Sequence, residues 1–189
     1  SEDTTNVGTV TVTVTGKGNY SGSSARTYEI EKRQITVYAE STSDYNGEDQ
    51  TLTISAGDAS NVVDTETLTL TGATITGKAA NTYTTVSDYS WNVVKADGTN
   101  SKENYTIAVT GKLTINPIGF EVAELQNVTY NGEAQEQEVT VTDALGNTLE
   151  KGTDYEVSYS EDTTNVGTVT VTVTGKGNYQ GTVTKNFKI

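Results

Sequence analysis

Residues 1–20, SEDTTNVGTVTVTVTGKGNY, recur without a change at residues 160–179, an offset of 159. The register continues past the identical run, through Gly22/Gly181 and Tyr28/Phe187 to Ile30/Ile189. A duplication of this length signals a tandem array, in which each repeat buries its apolar face against a neighbour. Within the run, Val10, Val12 and Val14 fall on one face of an extended chain, and Thr9, Thr11, Thr13 and Thr15 on the other. That two-residue period predicts a strand with one buried and one wet face.

The same alternation recurs at Leu68-Leu70, Tyr89-Trp91-Val93, Ile107-Val109, Val139-Val141 and Tyr155-Val157-Tyr159. Thr fills 37 of the 189 positions and Val 21, so β-branched side chains that suit a pleated sheet dominate the chain. No apolar segment of 3.6-residue period reaches helical length, and Val122 to Asn127 has room for one turn at most. The expectation is an all-β protein with little or no helix. Asn46-Gly47, Asn131-Gly132 and Asp97-Gly98 predict hairpin turns of type I′, which need positive φ at both central residues.

A weaker repetition divides the chain further. Asp44-Tyr45-Asn46-Gly47-Glu48 resembles Thr129-Tyr130-Asn131-Gly132-Glu133, and each is followed by an Asn-Tyr pair, Asn104-Tyr105 and Asn178-Tyr179. Each stretch closes on a short alternating strand, Leu113-Thr114-Ile115 and Phe187-Lys188-Ile189. Residues 32–116 and 117–189 therefore read as two related modules, and residues 1–31 as the second half of a module like the last. The junctions, Ile30-Glu31-Lys32-Arg33-Gln34-Ile35 and Ile115-Asn116-Pro117-Ile118, are too short for a flexible linker. They predict small β-sheet modules strung into a semi-rigid rod.

The composition excludes much chemistry. There is no Cys and no His, hence no triad, no thiolate catalysis and no ordinary zinc site. Acidic residues outnumber basic ones 25 to 12, a net charge of −13 that opposes nucleic acid and anionic membrane. No run approaches the roughly 20 apolar residues of a membrane span, and no signal-peptide pattern is present in this segment. The absence of Met leads us to expect that Ser1 is a processed start and the chain a window from a longer repetitive protein. A chain without Cys fits a reducing cytosol or the disulfide-poor surface of many bacteria.

Each candidate site has a plainer reading beside it. The Asn-Tyr pairs (Asn19-Tyr20 included) and the Tyr-Asn-Gly turns are read as turns whose Tyr rings pack and whose hydroxyls stay wet, ahead of a ligand signature. Tyr89, Trp91 and Val93 have the spacing of an inward strand face, with a sugar-stacking platform as the second reading. Asp58-Asp64-Glu66 and Glu161-Asp162 are spaced like loop charges and match no calcium loop. Asn19-Tyr20-Ser21, Asn104-Tyr105-Thr106 and Asn127-Val128-Thr129 match the glycosylation sequon, which matters in a eukaryotic secretory pathway alone. An internal Lys–Asn amide bond would need a core-facing Lys, whereas Lys17, Lys112 and Lys176 sit beside Gly or in turns. Lys17 and Lys176 are read as gatekeepers that discourage edge pairing of the Val-Thr strands. No catalytic, cofactor or metal residues are assigned, and the ligand-binding residues are unknown.

The Tyr-Asn-Gly-Glu start, the strand Gly152-Thr153-Asp154-Tyr155-Glu156-Val157-Ser158-Tyr159, and Asn165-Val166-Gly167-Thr168 to Gly175-Lys176-Gly177-Asn178-Tyr179 resemble the YDG-type repeats of bacterial surface proteins. Residues 32–116, with Tyr45-Asn46-Gly47 and Asn104-Tyr105-Thr106, are similar to the companion MBG (mostly β-grasp) repeats. Asn stands where the family name has Asp, a harmless exchange in a turn. The resemblance implies an extracellular, non-catalytic stalk or adhesin-like segment, attached to the cell wall of a Gram-positive or gut anaerobe, with no cofactor. Its implied partners are adjacent repeats of the same chain and, as the second reading, a host glycan or protein met by exposed aromatics or a strand edge. The β-grasp part of the name implies a helix across the sheet. No sequence for one is found, so an open, twisted or sandwich-like arrangement is expected. Residues 1–31 lack a counterpart of 118–159, and are expected to dock on the following module or to associate with another chain by strand swapping.

Overall fold

The computed structural model describes residues 3–189. Strand makes up 51% of the chain and helical turn 3%, so the protein is all-β, as the Thr/Val alternation requires. The strands are β1 (Gly8–Thr15), β2 (Ser23–Ile30), β3 (Arg33–Asp44), β4 (Gln50–Thr53), β5 (Ala59–Ser60), β6 (Glu66–Thr71), β7 (Thr74–Gly77) and β8 (Asn81–Tyr83). They continue with β9 (Ser90–Lys95), β10 (Tyr105–Asn116), β11 (Phe120–Val122), β12 (Val141–Asp143), β13 (Tyr155–Tyr159), β14 (Thr168–Gly175) and β15 (Thr182–Lys188). Single 3₁₀ turns at Ala56–Asp58 and Lys102–Asn104 are the helical content of the described residues.

The chain forms two compact units whose limits differ from the repeat boundaries after residues 31 and 116. One unit holds the chain up to Ala39 with Leu52–Ile75 and Thr84–Gly111; the other holds Glu40–Thr51, Thr76–Tyr83 and Lys112–Ile189. Residues 3–31 thus belong to the same unit as part of the middle repeat, and the middle repeat contributes to both.

In the first unit, β1 and β2 form an antiparallel hairpin from Gly8↔Ile30 to Thr15↔Ser23. β6 pairs antiparallel with β9, setting Leu68 opposite Val93 and Leu70 opposite Trp91. The start of β3 lies between β5 and β10. The inward positions of these strands, Ile35, Val37, Leu68, Val93 and Val109, are buried together with Ile54, Ala73, Ile75 and Tyr105. Gly111 marks a close backbone approach: a Cβ there would lie 2.8 Å from the Ala39 carbonyl oxygen and 3.0 Å from Ile54 Cδ1.

In the second unit, β14 is the centre of an antiparallel sheet in the order β13-β14-β15. Its Val169, Val171 and Val173 enter a core with Val122, Val139, Val141, Leu149, Tyr155, Tyr179 and Phe187. β11 pairs with β12 (Val122↔Val141), and the end of β10 pairs with β8 (Leu113↔Tyr83, Ile115↔Asn81). The expected strand at Val139-Val141 begins at Val141 instead, although Val139 is buried. No helical turn forms at Val122 to Asn127. That stretch is tied across by Ala123 N–H to the Thr140 carbonyl (2.9 Å) and by Gln137 Nε2 to the Gln126 carbonyl (2.6 Å).

The type I′ turns are corrected. Among the described non-glycine residues, Asn61 alone has positive φ, so Asn46, Asn131 and Asp97 do not occupy the first position of such a turn. Their side chains explain why. Asn46 Oδ1 accepts from Glu48 N–H, Asn131 Oδ1 from Glu133 N–H and Asp97 Oδ1 from Thr99 N–H, each at 2.9 Å. Bonding its own backbone two residues ahead keeps the Asx residue at negative φ and leaves the left-handed step to the glycine alone. Gly132 takes it at φ +84°.

Candidate functional site

The residues that recur in structure as well as in sequence lie where one repeat meets the next. β2 closes on Ile30 opposite Gly8, and β10 carries Ile115 opposite Asn81. Val7 and Ala80, each one residue before those partners, therefore hold the same place in two different repeats. Val7 N–H donates to Asn104 Oδ1 at 2.9 Å, and Ala80 N–H donates to Asn178 Oδ1 at 2.7 Å. Both acceptors are the Asn of an Asn-Tyr pair in the following repeat. Each clasp lies inside one compact unit. The first is doubled, because Asn104 Nδ2 donates back to Asn6 Oδ1 at 2.7 Å, and Lys32 and Glu103 form an ion pair at 3.8 Å beside it. At the second junction, Gln180 N–H donates to the Ile118 carbonyl and Ile118 N–H to the Asn178 carbonyl, which stitches the incoming chain to the Asn-Tyr pair.

The Tyr of the Asn104-Tyr105 and Asn178-Tyr179 pairs turns inward, correcting for these two the expectation of a wet hydroxyl. Tyr179 donates to Asp143 Oδ2 at 3.1 Å and Tyr105 to Glu66 Oε2 at 2.6 Å. Ser101 Oγ donates to the same Glu66 oxygen at 3.0 Å, so Glu66 is a buried anchor's acceptor rather than a loop charge. Burial raises the ionisation of both phenols above the usual Tyr value, and the adjacent carboxylate adds to it. Burial also pushes the Asp143 carboxyl up. The hydrogen bonds from Asn147, Tyr179 and Leu145 N–H outweigh it and hold Asp143 below the ordinary Asp range. Tyr45 completes the second junction, packing edge-on against Tyr179 with ring centroids 5.9 Å apart. No sequence signal marked Val7 or Ala80, since the donor is backbone and any non-proline residue supplies it.

The identical segments have opposite surroundings. Val171 and Val173 are fully buried in the second copy, whereas Val12 and Val14 are 49% and 67% exposed. Tyr179 is buried and Tyr20 is 80% exposed. Of the expected inward face, only Val10 is covered. In the second copy, Lys176 bonds Glu156 Oε1 (2.8 Å) and the Gly152 carbonyl (3.2 Å), so it fastens β14 to β13 instead of guarding an open edge.

The remaining candidates separate. Val93 is core, Trp91 is half-buried with Lys102 Nζ 4.8 Å from its ring centroid, and Tyr89 is exposed. The stripe therefore runs from core to surface, and a cation already faces the indole. No three acidic side chains converge as a metal cluster among the described residues. Lys112 and Lys176 pair with Glu40 and Glu156, and Lys185 with Glu124. Of the sequon residues, Asn104 is committed to the first clasp and Asn127 Oδ1 accepts from Lys188 N–H at 2.9 Å. Neither a family model nor a curated protein matches this chain.

Proposed function

We propose that the chain is a non-catalytic spacer segment of a repetitive bacterial surface protein, built from YDG-like and MBG-like repeats and displayed outside the cell. The observation that carries this reading is the recurrence of one clasp at two junctions, a backbone N–H one residue before the strand partner of a repeat's closing Ile, donated to the Asn of the next repeat's Asn-Tyr pair. A repeated, directional connection of this kind suits a distance-setting array of repeats. Asn19 and Val166 hold the corresponding acceptor and donor positions toward further repeats: Val166 precedes Gly167, which bonds Ile189 in both directions (3.2 and 3.0 Å). The net charge of −13 keeps such a segment soluble at high local density.

The rival reading is a host-glycan or protein-binding module that uses Tyr89 and Trp91. Lys102 Nζ, 4.8 Å from the centroid of the half-buried indole, would compete with a sugar for that ring. A glycan and matrix-protein array separates the two. The spacer reading predicts no reproducible hit, and hits abolished by Trp91→Ala would replace it with the binding reading.

A further inference from the structure

Three exposed turns share one local geometry. Asn46-Gly47, Asp97-Gly98 and Asn131-Gly132 each place glycine at positive φ, +80°, +84° and +84° in turn. In each, the Asx Oδ1 accepts from the N–H two residues ahead. A Cβ on any of these glycines would meet no atom closer than 3.9 Å, so the left-handed φ, and not crowding, selects Gly. Lacking a Cβ, the glycine nitrogen is also the least hindered nucleophile the main chain offers, and it stands next to a side-chain carbonyl carbon. Asn is a thermolabile residue, and this neighbour is the one that exposes its lability.

The turns differ at the nitrogen. Gly98 N–H donates to the Lys95 carbonyl at 2.9 Å, whereas among the described residues Gly47 N–H and Gly132 N–H donate to no acceptor. They differ at the oxygen too. Asn46 Oδ1 takes a second donor, Gln50 Nε2 at 3.3 Å, which also holds the Asp44 carbonyl at 3.0 Å. Gln135 stands at the same spacing from Asn131, but its Nε2 donates to the Thr129 carbonyl at 3.3 Å and leaves Asn131 Oδ1 with Glu133 N–H alone. Ring closure swings the Asn side chain, and each hydrogen bond on Oδ1 resists that swing.

We propose that Asn131, and more slowly Asn46, are sites of spontaneous deamidation, and that the third turn is protected by the hydrogen bond on Gly98. The Gly132 nitrogen gives its proton to solvent base and bonds to Asn131 Cγ. The Cγ–Nδ2 bond breaks, and its electron pair leaves with a proton as ammonia. Water then adds to either carbonyl of the cyclic imide and opens it, giving aspartate by one C–N cleavage and isoaspartate by the other. No oxidant or reductant takes part. Each event adds a negative charge at the Tyr-Asn-Gly turn of a repeat, and isoaspartate also adds a methylene to the main chain. The inference rests on the three turns and is independent of the spacer reading.

The test ages the full chain and its Asp97→Asn variant in mildly alkaline buffer, folded and in urea. Peptide mass spectrometry that separates aspartate from isoaspartate follows each turn, and released ammonia is assayed alongside. In the folded chain Asn131 should convert about fivefold faster than Asn46, the factor that one modest hydrogen bond supplies. Position 97 of the variant should convert more slowly than Asn131 when folded, and the three positions should converge in urea. Gln50→Ala should bring Asn46 up toward the Asn131 rate. Equal rates at Asn46 and Asn131 in the folded chain would overturn the proposal, as would an unchanged Asn46 rate in Gln50→Ala. So would position 97 of the folded variant matching Asn131, or an inert Asn131 in the folded chain while the chain in urea converts.

Discussion

Truncating the same valine in the two copies separates packing from everything else. Val14 and Val173 have identical neighbours from position −13 to +6 in sequence, so strand propensity and local chain effects cancel. Val→Ala removes two methyl groups, which at about 0.8 kcal/mol each in transfer terms, plus a cavity term, gives about 2–3 kcal/mol for a fully buried site. Val173 has no exposed surface and should cost that amount. Val14 is 67% exposed, so about a third of the transfer term applies and no cavity forms, which leaves about 0.5 kcal/mol. Urea denaturation of each variant, followed through side-chain methyl NMR signals in the unit carrying the change, measures both differences at unchanged m-value. Equal costs at the two positions would refute the claim that identical segments sit in opposite environments.

Three further outcomes are expected. Gly132→Val places a β-branched residue at φ +84° and should destabilise its unit by about 1–3 kcal/mol, seen as a lower Tm; an unchanged Tm would mean that the left-handed step is dispensable. The Asp143–Tyr179 pair should bound stability on both sides of neutrality. Asp143 ionises below its unfolded value, so its contribution is complete above about pH 4 and lost as pH falls through the folded value, and Asp143→Asn should flatten that acid limb in pH-resolved melts. Tyr179 is raised, so its contribution is complete below about pH 10 and lost as pH rises through the folded value; Tyr179→Phe should remove this alkaline limb, and Tyr20→Phe should change nothing. Deleting residues 1–31 should leave the melting of the 112–189 core intact, because that core is drawn from its own unit, and collapse there would contradict the assignment.

The strands were legible because Thr/Val alternation leaves the backbone little choice. β1, β6, β10, β13 and β14 fall where the two-residue period places them. The turns were less so: Asn-Gly matches a type I′ turn by composition, but Asn46 and Asn131 spend their side chains on the local backbone, and that competition is invisible in a dipeptide. The Asn-Tyr pairs stood out in sequence, yet their role depends on two carboxylates, Glu66 and Asp143, that lie 39 and 36 residues away along the chain. Long-range partners of this kind have no periodic signature. The exposed valines show the same limit in reverse, since residues 1–20 and 160–179 are one sequence, and only the presence of 118–159 beside the second decides which face is core.

Small-angle X-ray scattering of the full chain in dilute solution tests the spacer claim most directly. A compact 189-residue domain would have a radius of gyration of about 16 Å. A semi-rigid array of small modules should give well over about 20 Å, with a pair-distance distribution skewed to a long tail and a cross-sectional signal of a rod. A value near 16 Å with a symmetric distribution would contradict the spacer account.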